Sequence, residues 1–229
     1  MTDAKKTKGS IIITGASDGL GLCIAKHAQR ANYTPINISR RESIVATQSI
    51  IADLQIESEI DTAVQKIKHI TDVRAIILNA GVLSLQPITQ ISGSELDRVL
   101  AVNLKAPMLM VSKLFEWIIE NNIDVVIVNS TAGLRVYKGQ PIYNVSKRAL
   151  HGFTEDLRVE LAASNSRVIG VYPDMLDTNM AAKLPGGPMP KSSHPTIDPE
   201  YVAALIIDAL EQEGHMEVAD IVINRKVVR

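Results

Sequence analysis

The sequence predicts an α/β fold of one domain, a doubly wound, mostly parallel seven-stranded sheet with helices on both faces. Three observations predict it. Short β-branched runs such as Ile11 to Ile13 and Val125 to Val128 alternate with longer segments whose apolar residues recur at helical spacing. The first of those runs leads into a glycine-rich turn that opens a helix. At 229 residues, with 46% hydrophobic and 21% charged side chains, the chain can also bury one sizeable core without a disulfide or a metal.

Residues 10–14 read as the first strand, 19–31 as a helix, 34–39 as the second strand and 49–52 as the third. Ile60, Val64 and Ile67, at i, i+4 and i+7, give the next helix its buried face. Strand 73–78 follows. The stretch 94–121 holds two helices divided near 103–107, because a proline disfavours a helical residue before it. Strand 123–129 runs into a loop that ends at Pro141, a residue suited to the first turn of the long helix 141–164. Strand 167–172 comes next, and from 173 to 199 the pattern breaks. Pro185, Gly186, Gly187, Pro188, Pro190 and Pro195 exclude a regular helix or central strand there, so 180–197 reads as a lid or loop over a substrate site. Helix 199–213 and strand 221–224 complete a sheet with no internal repeat or linker. Residues 1–229 are therefore expected to form a single domain that includes its own substrate site.

With 24 basic and 25 acidic residues the formal net charge is −1, so no whole-molecule field favours nucleic acid or an anionic membrane. A small molecule is the expected partner. Cys23 has no second cysteine to pair with, and residues 1–9 are polar and lysine-bearing with no apolar signal core. A soluble protein with a cytoplasmic address is expected, since the apolar runs fall far short of the ~20 residues of a membrane span. No cluster of Cys, His and carboxylates has metal-ligand spacing, so the chemistry is expected to be metal-free.

In the run Thr14-Gly15-Ala16-Ser17-Asp18-Gly19-Leu20-Gly21, Gly15 permits a tight turn, Gly19 a close approach to phosphates and Gly21 close helix–sheet packing. The helix N-terminus would stabilise a pyrophosphate. After the second strand, Ser39-Arg40-Arg41 stands where an NAD site usually places a carboxylate on the ribose 2′-hydroxyl. An arginine there suits the 2′-phosphate of NADP instead, with Arg40 best placed and Ser39 and Arg41 as helpers. NADP(H) is accordingly expected ahead of NAD(H). Asp53, after the third strand, is positioned either to accept from an adenine amino group or to be an exposed loop carboxylate.

Tyr143 and Lys147, at i and i+4 near the start of a helix, share a face. An unperturbed tyrosine, with a pKa of ~10, is a poor base, and a nearby ammonium favours its phenolate. Ser130, at the carboxyl end of strand 123–129, lies where open α/β sheets bind ligands and can donate to a substrate oxygen while Tyr143 gives or takes the proton. Thr131 competes for that role.

In these motifs the chain resembles the short-chain dehydrogenase/reductase family, from the first strand to about Thr178, with the Rossmann-type fold which that implies. Thr14 to Gly21 fits its T-G-x-x-x-G-x-G turn, Asn79-Ala80-Gly81 its N-A-G, Asn103 its fourth-helix asparagine, and Tyr143 with Lys147 its Y-x-x-x-K pair. Ser130 precedes Tyr143 by the family's 13 residues, which selects it over Thr131. The resemblance implies a catalytic tetrad of Asn103, Ser130, Tyr143 and Lys147, with Lys147 also on the nicotinamide ribose and a water joining it to the Asn103 carbonyl. Together with the glycine turn, the 39–41 corner and Asp53 read above, it gives a cofactor site of Gly15, Ser17, Asp18, Gly19, Leu20, Ser39, Arg40, Arg41, Asp53, Asn79, Ala80, Gly81, Tyr143, Lys147, Pro173, Met175 and Thr178. Residues 173–178 resemble the family's P-G-x-x-x-T segment except that Asp174 replaces the glycine, adding a negative charge near the ring. The last strand runs through Asn224 into Arg225 where many relatives carry a glycine pair.

These readings give an NADP(H)-dependent oxidoreductase acting on a small carbonyl or alcohol substrate, with Tyr143 as general acid/base. Leu83, Leu85, Leu134, Met175 and Met180 are candidate pocket walls. Retention of the fold as a catalytically silent NADP-binding regulatory or interaction protein is the alternative. The resemblance also implies a homodimer or homotetramer, assembled through helices near 105–121 and 142–164.

Overall fold

A computed structural model describes residues 7–182, 196–213 and 216–226. Seven parallel strands form one sheet in the order β3-β2-β1-β4-β5-β6-β7. They are β1 (Ser10–Thr14), β2 (Thr34–Ser39), β3 (Gln48–Ile51), β4 (Val73–Leu78), β5 (Asp124–Val128), β6 (Val168–Pro173) and β7 (Asp220–Ile223). The helices are α1 (Gly19–Arg30), α2 (Glu57–Lys68), α3 (Gly93–Leu100), α4 (Ala106–Glu120), α5 (Pro141–Leu161), the single turn α6 (Asn179–Ala182) and α7 (Pro199–Leu210). Most of the expected 180–197 lid lies outside the described residues.

Strand residues point alternately to opposite faces, and this alternation divides the continuous isoleucine run of β1 between two cores. Ile12 joins Ile60, Val64, Ile67, Leu114, Ile118 and Leu157 from α2, α4 and α5. Ile11 and Ile13 face the other way, onto Leu20, Ile24, Val202 and Ile206 from α1 and α7. Helices thus cover both faces, and a β-branched strand buried on both sides needs no polar alternation.

The expected division within 94–121 is present, but the helix does not stop there. α3 passes through a π-helical turn, Ala101–Lys105, into α4, with the Ala106 amide bonded to the Ala101 carbonyl. Pro107 explains the change of pitch. It has no N–H to give to the Asn103 carbonyl four residues back, and its ring would crowd that carbonyl in a regular helix. Other boundaries move by a few residues; α5 ends at Leu161 and α7 at Leu210, each short of the sequence expectation.

Strand order reverses between β1, whose chain goes on to β2, and β4, whose chain goes on to β5. The crevice at the carboxyl ends of these strands is the usual ligand position in such sheets. The glycine turn after β1 and the segments after β4, β5 and β6 that carry Asn79, Ser130 and Asp174 leave the sheet at that edge.

Candidate active site

The turn between β1 and α1 is shaped by backbone contact. Gly15 and Gly19 have φ of +76° and +54°, a region that side chains resist. A Cβ on Gly21 would lie 2.2 Å from the Gly15 carbonyl oxygen and 2.6 Å from Asn79 Nδ2. The amides of Asn79 and Ala80 both donate to Thr14 Oγ1 at 2.9 Å, and Asn79 Nδ2 donates to the Thr14 carbonyl at 2.9 Å. Asn79 therefore clamps the end of β4 to the end of β1. Asp18 caps α1 by accepting from the Gly19 amide at 2.8 Å, also accepts from Asn179 Nδ2 at 3.3 Å, and lies 3.6 Å from Arg41. A cradle that a Cβ would fill, opening onto a helix N-terminus, fits a dinucleotide pyrophosphate, and Arg41 offsets the Asp18 carboxylate beside it.

The corner after β2 divides its three polar residues among different tasks. Ser39 Oγ donates to the Arg41 carbonyl at 2.6 Å, and Asn37 Nδ2 reaches the same carbonyl at 2.9 Å. Ser43 Oγ ties this corner to the glycine turn through the Ala16 carbonyl at 2.8 Å. Arg40 is exposed and makes no hydrogen bond or ion pair with any described residue. It is free to meet an anion. Asp53 turns instead to its own loop, accepting from the Gln55 amide at 3.0 Å and Gln55 Nε2 at 3.2 Å.

On the other side, Ser130 follows β5 and caps the 3-10 turn Thr131–Gly133, its Oγ accepting from the Ala132 amide at 3.1 Å. Tyr143 stands in the first turn of α5, with Lys147 Nζ 5.9 Å from the centre of its ring. The helix is pressed onto β5. Asn129 Nδ2 donates to the Lys147 carbonyl at 3.1 Å, and a Cβ on Gly133 would lie 2.8 Å from that carbonyl. From the π turn, Asn103 accepts from the Val82 amide at 2.8 Å and donates to the Val82 carbonyl at 2.9 Å and to Ser146 Oγ at 3.1 Å. A Cβ at Gly81 would fall between Asn103 Oδ1, at 3.5 Å, and Lys147 Nζ, at 3.8 Å. Asn103, Ser130, and Tyr143 with Lys147 thus come from three separate segments to one place.

Lys147 is 3% exposed and donates to the Val128 carbonyl at 3.1 Å. Burial brings its pKa down from 10.5 to about 8. Burial also holds the Tyr143 phenol above its ordinary value, while the hydrogen bond with Ser130 acts in the opposite direction. The lowering of the phenol expected from Lys147 is not found in this state. Its ammonium is directed at the strand carbonyl, and desolvation of the phenol outweighs its neighbours.

Asp174, at the end of β6, is 7% exposed in its side chain. It accepts from its neighbour's amide, Met175 N, at 2.8 Å and from Tyr137 Oη at 3.3 Å, and pairs with Arg135 at 3.1 Å. Arg225 Nε also lies 3.1 Å from Asp174 Oδ2, close enough for an ion pair, but its N–H is turned off the hydrogen-bond axis. Burial would raise the Asp174 carboxyl, and the adjacent Arg225 guanidinium together with the Met175 and Arg225 amides overrides it, leaving the pKa below the usual range. Two guanidinium groups therefore surround the negative charge that the sequence places here. Thr178 packs over the glycine turn, its Cβ and Cγ2 each 3.5 Å from where a Gly19 Cβ would stand.

Sequence reasoning did not find Asn129, Gly133, Arg135, Tyr137, Asn144 or Ser146 as parts of this site. Its one available signal was the pair of departures at 174 and 224–225, which turn out to be neighbours. Leu85, Leu134 and Met180 are exposed, as is Val136, which the sequence did not single out.

The short chain dehydrogenase family profile matches residues 9–187. An uncharacterized oxidoreductase of Staphylococcus epidermidis is 25% identical, covering 96% of this chain and 98% of its own. Among solved structures, an alcohol dehydrogenase from the archaeon Thermococcus sibiricus complexed with 5-hydroxy-NADP superposes with a TM-score of 0.84 at 18% identity, covering 96% of this chain and 99% of that one. A metagenomic short-chain oxidoreductase in complex with NADP gives 0.81 at 20% identity over 97% and 99%. At such identities the two structures speak to the fold alone.

Proposed function

The chain belongs to the short chain dehydrogenase family and is an oxidoreductase of that type, and from that premise we propose that it transfers hydride between NADP(H) and a small carbonyl or alcohol substrate. Tyr143 is the general acid/base of this reading. The observation that carries it is the meeting of Tyr143, Ser130 and buried Lys147 at the sheet edge that also holds the glycine cradle.

Bound NADP(H) supplies or accepts the hydride. In the reducing direction Tyr143 delivers a proton to the substrate oxygen as the carbonyl carbon gains its hydride, and Ser130 donates a hydrogen bond to the same oxygen. A phenol held above its ordinary pKa is protonated at neutral pH and is ready to act as the acid. Lys147, with a pKa of about 8, sits where it can hold or release a proton one helical turn away. The oxidising direction uses the same groups in reverse. Arg40 supports the phosphorylated cofactor, being exposed and unpaired among the described residues at the corner after β2, and NADP is bound by the metagenomic relative in fold.

The test is nicotinamide absorbance with NADPH against a panel of ketones, aldehydes and diketones, repeated with Tyr143→Phe. The substitution is expected to lower turnover by about 10²- to 10⁴-fold, the usual contribution of a positioned acid/base. Turnover unaffected by it sinks the mechanism. NADPH binding without turnover on any panel member favours a silent regulatory protein instead.

A further inference from the structure

We propose that Asp174 is a positioning residue for the segment that carries Ser130, acting through Tyr137 and held in place by Arg225. The proposal rests on the function given above, since it concerns how Ser130 is presented for that reaction.

Asp174 stands at the glycine of the segment that 173–178 resembles, Arg225 follows the last strand where that resemblance leads one to expect glycines, and the two meet. Each departure alone would disturb the site. A carboxylate that is 93% buried in its side chain needs a counter-charge, and an arginine that is 13% exposed needs the same. Together they neutralise one another as an ion pair, and the Arg225 amide also donates to Asp174 Oδ2 at 3.4 Å. The residues 174 and 225 follow adjacent parallel strands, β6 and β7, so the pair is anchored at the sheet edge.

From that anchor the carboxylate reaches across to the segment after β5. Tyr137 Oη contacts Asp174 Oδ1 at 3.3 Å, shares a hydrogen bond with Thr131 Oγ1 at 2.7 Å and accepts from Arg135 Nε at 2.7 Å. Thr131 is the residue after Ser130, and its carbonyl accepts from the amides of Leu134 at 3.0 Å and Arg135 at 2.9 Å. The backbone of Tyr137 is tied in the other direction, donating from its amide to Asn144 Oδ1 at 3.4 Å and accepting from Asn144 Nδ2 at 2.7 Å. Asn144 is the residue after Tyr143 and is buried. Tyr137 is therefore a strap with three ends, on the Ser130 turn, on the first turn of α5 and on the β6–β7 edge. Only its third end requires a carboxylate, and glycine at 174 could not supply one.

Amide hydrogen exchange on the full-length protein tests this without turnover. Tyr137→Phe and Asp174→Asn are each expected to speed exchange at Gly133, Leu134 and Arg135 by about tenfold or more, while amides of β1 and α1 keep wild-type rates. Unchanged exchange at those three amides in Tyr137→Phe overturns the proposal, as does acceleration spread evenly over the chain. Tyr137→Phe removes a single hydroxyl, so it decides the matter even where Asp174→Asn does not fold. Kinetics add a second readout that a merely structural role would not move. Tyr137→Phe is expected to lower kcat/KM about tenfold with NADPH affinity within about twofold of wild type, and to have under about a twofold effect in a Ser130→Ala background. Equal effects in both backgrounds show that Tyr137 does not act through Ser130 and overturn the proposal. If the function itself is wrong, turnover fails or survives Tyr143→Phe while the exchange pattern still stands or falls independently.

Discussion

The two halves of the sheet's carboxyl edge are built by different means. Over β1, β2 and β4 the site is made by close backbone approach: two glycines with positive φ, a third pressed to 2.2 Å of a carbonyl by any added Cβ, and charges confined to an exposed rim. Over β5, β6 and β7 it is made by buried charge: Lys147 at 3% exposure, with Asp174 and Arg225 paired out of water. Sterics shape the first half, so pH should leave it alone. The second half stores an electrostatic cost in exchange for chemistry, and its parts should respond to charge removal in ways the first half cannot.

Lys147→Met gives the largest expected effect, with opposite signs for stability and activity. Turnover should fall by at least about 100-fold, since the proton-handling partner of Tyr143 is gone. Stability without cofactor should rise, because a lysine brought from 10.5 to about 8 by burial corresponds to about 3 kcal/mol against folding at neutral pH. The lost hydrogen bond to Val128 returns about 1 kcal/mol of that. The sign has a pH signature. The unfolded chain takes up its proton below about 10.5 and the folded one only below about 8, so the penalty is full below 8 and is relieved as pH rises between those values. Urea unfolding at pH 7 and pH 10 checks it: the variant's advantage should shrink at the higher pH. An advantage that stays constant, or a variant less stable at pH 7, breaks the contrast between the halves.

The same contrast governs how much could be read from the sequence. The glycine half was legible because its determinants are contiguous: Thr14 to Gly21 carry the turn, and a β-branched run before it and a helical pattern after it supply the context. The three segments of the tetrad were legible in part: helical spacing pairs Tyr143 with Lys147 and the strand end offers Ser130 or Thr131, but Asn103 entered only through resemblance, since nothing in spacing alone shows that it bonds Val82 and Ser146. Asp174 was legible as an anomaly without a cause. Its partners, Arg135 and Arg225, lie 39 and 51 residues away in the chain, and a pairing over such distances leaves no local pattern. The π turn at 101–105 was legible in part. Pro107 announced a disturbance, but whether a helix stops or changes pitch is decided by the packing on either side.

Gly21→Ala attacks the steric half. The added Cβ meets backbone oxygen, which cannot rotate away as a flexible side chain would, so the turn itself must shift. Overpacking of this kind costs about 1–3 kcal/mol. NADPH affinity should fall about tenfold or more with it, and both losses should be the same at pH 7 and pH 10, unlike those at Lys147. Gly152→Ala is the control, a helix position with nothing within 4 Å of the new methyl. It should be neutral or slightly stabilising. A Gly21→Ala protein that binds NADPH as tightly as wild type would show that the turn is not shaped by this contact, and the division into steric and electrostatic halves would lose its first member.

Arg40→Gln carries the smallest effect and tests the exposed rim. Because Arg40 has no partner among the described residues, its removal should leave the unfolding transition in place. Arg41 cannot fully stand in for it, being drawn toward Asp18 at 3.6 Å. A charge-assisted contact with the 2′-phosphate should then be lost, weakening NADPH about tenfold while NADH binding stays unchanged. Fluorescence titration with both cofactors reads the ratio, and raising the salt concentration should narrow it, since an exposed ion contact is screened. Equal losses for the two cofactors would mean that Arg40 acts on a part of the dinucleotide they share, and an unchanged ratio would remove the 2′-phosphate assignment. In either case the glycine turn would keep its role, because its shape depends on no charge at that corner.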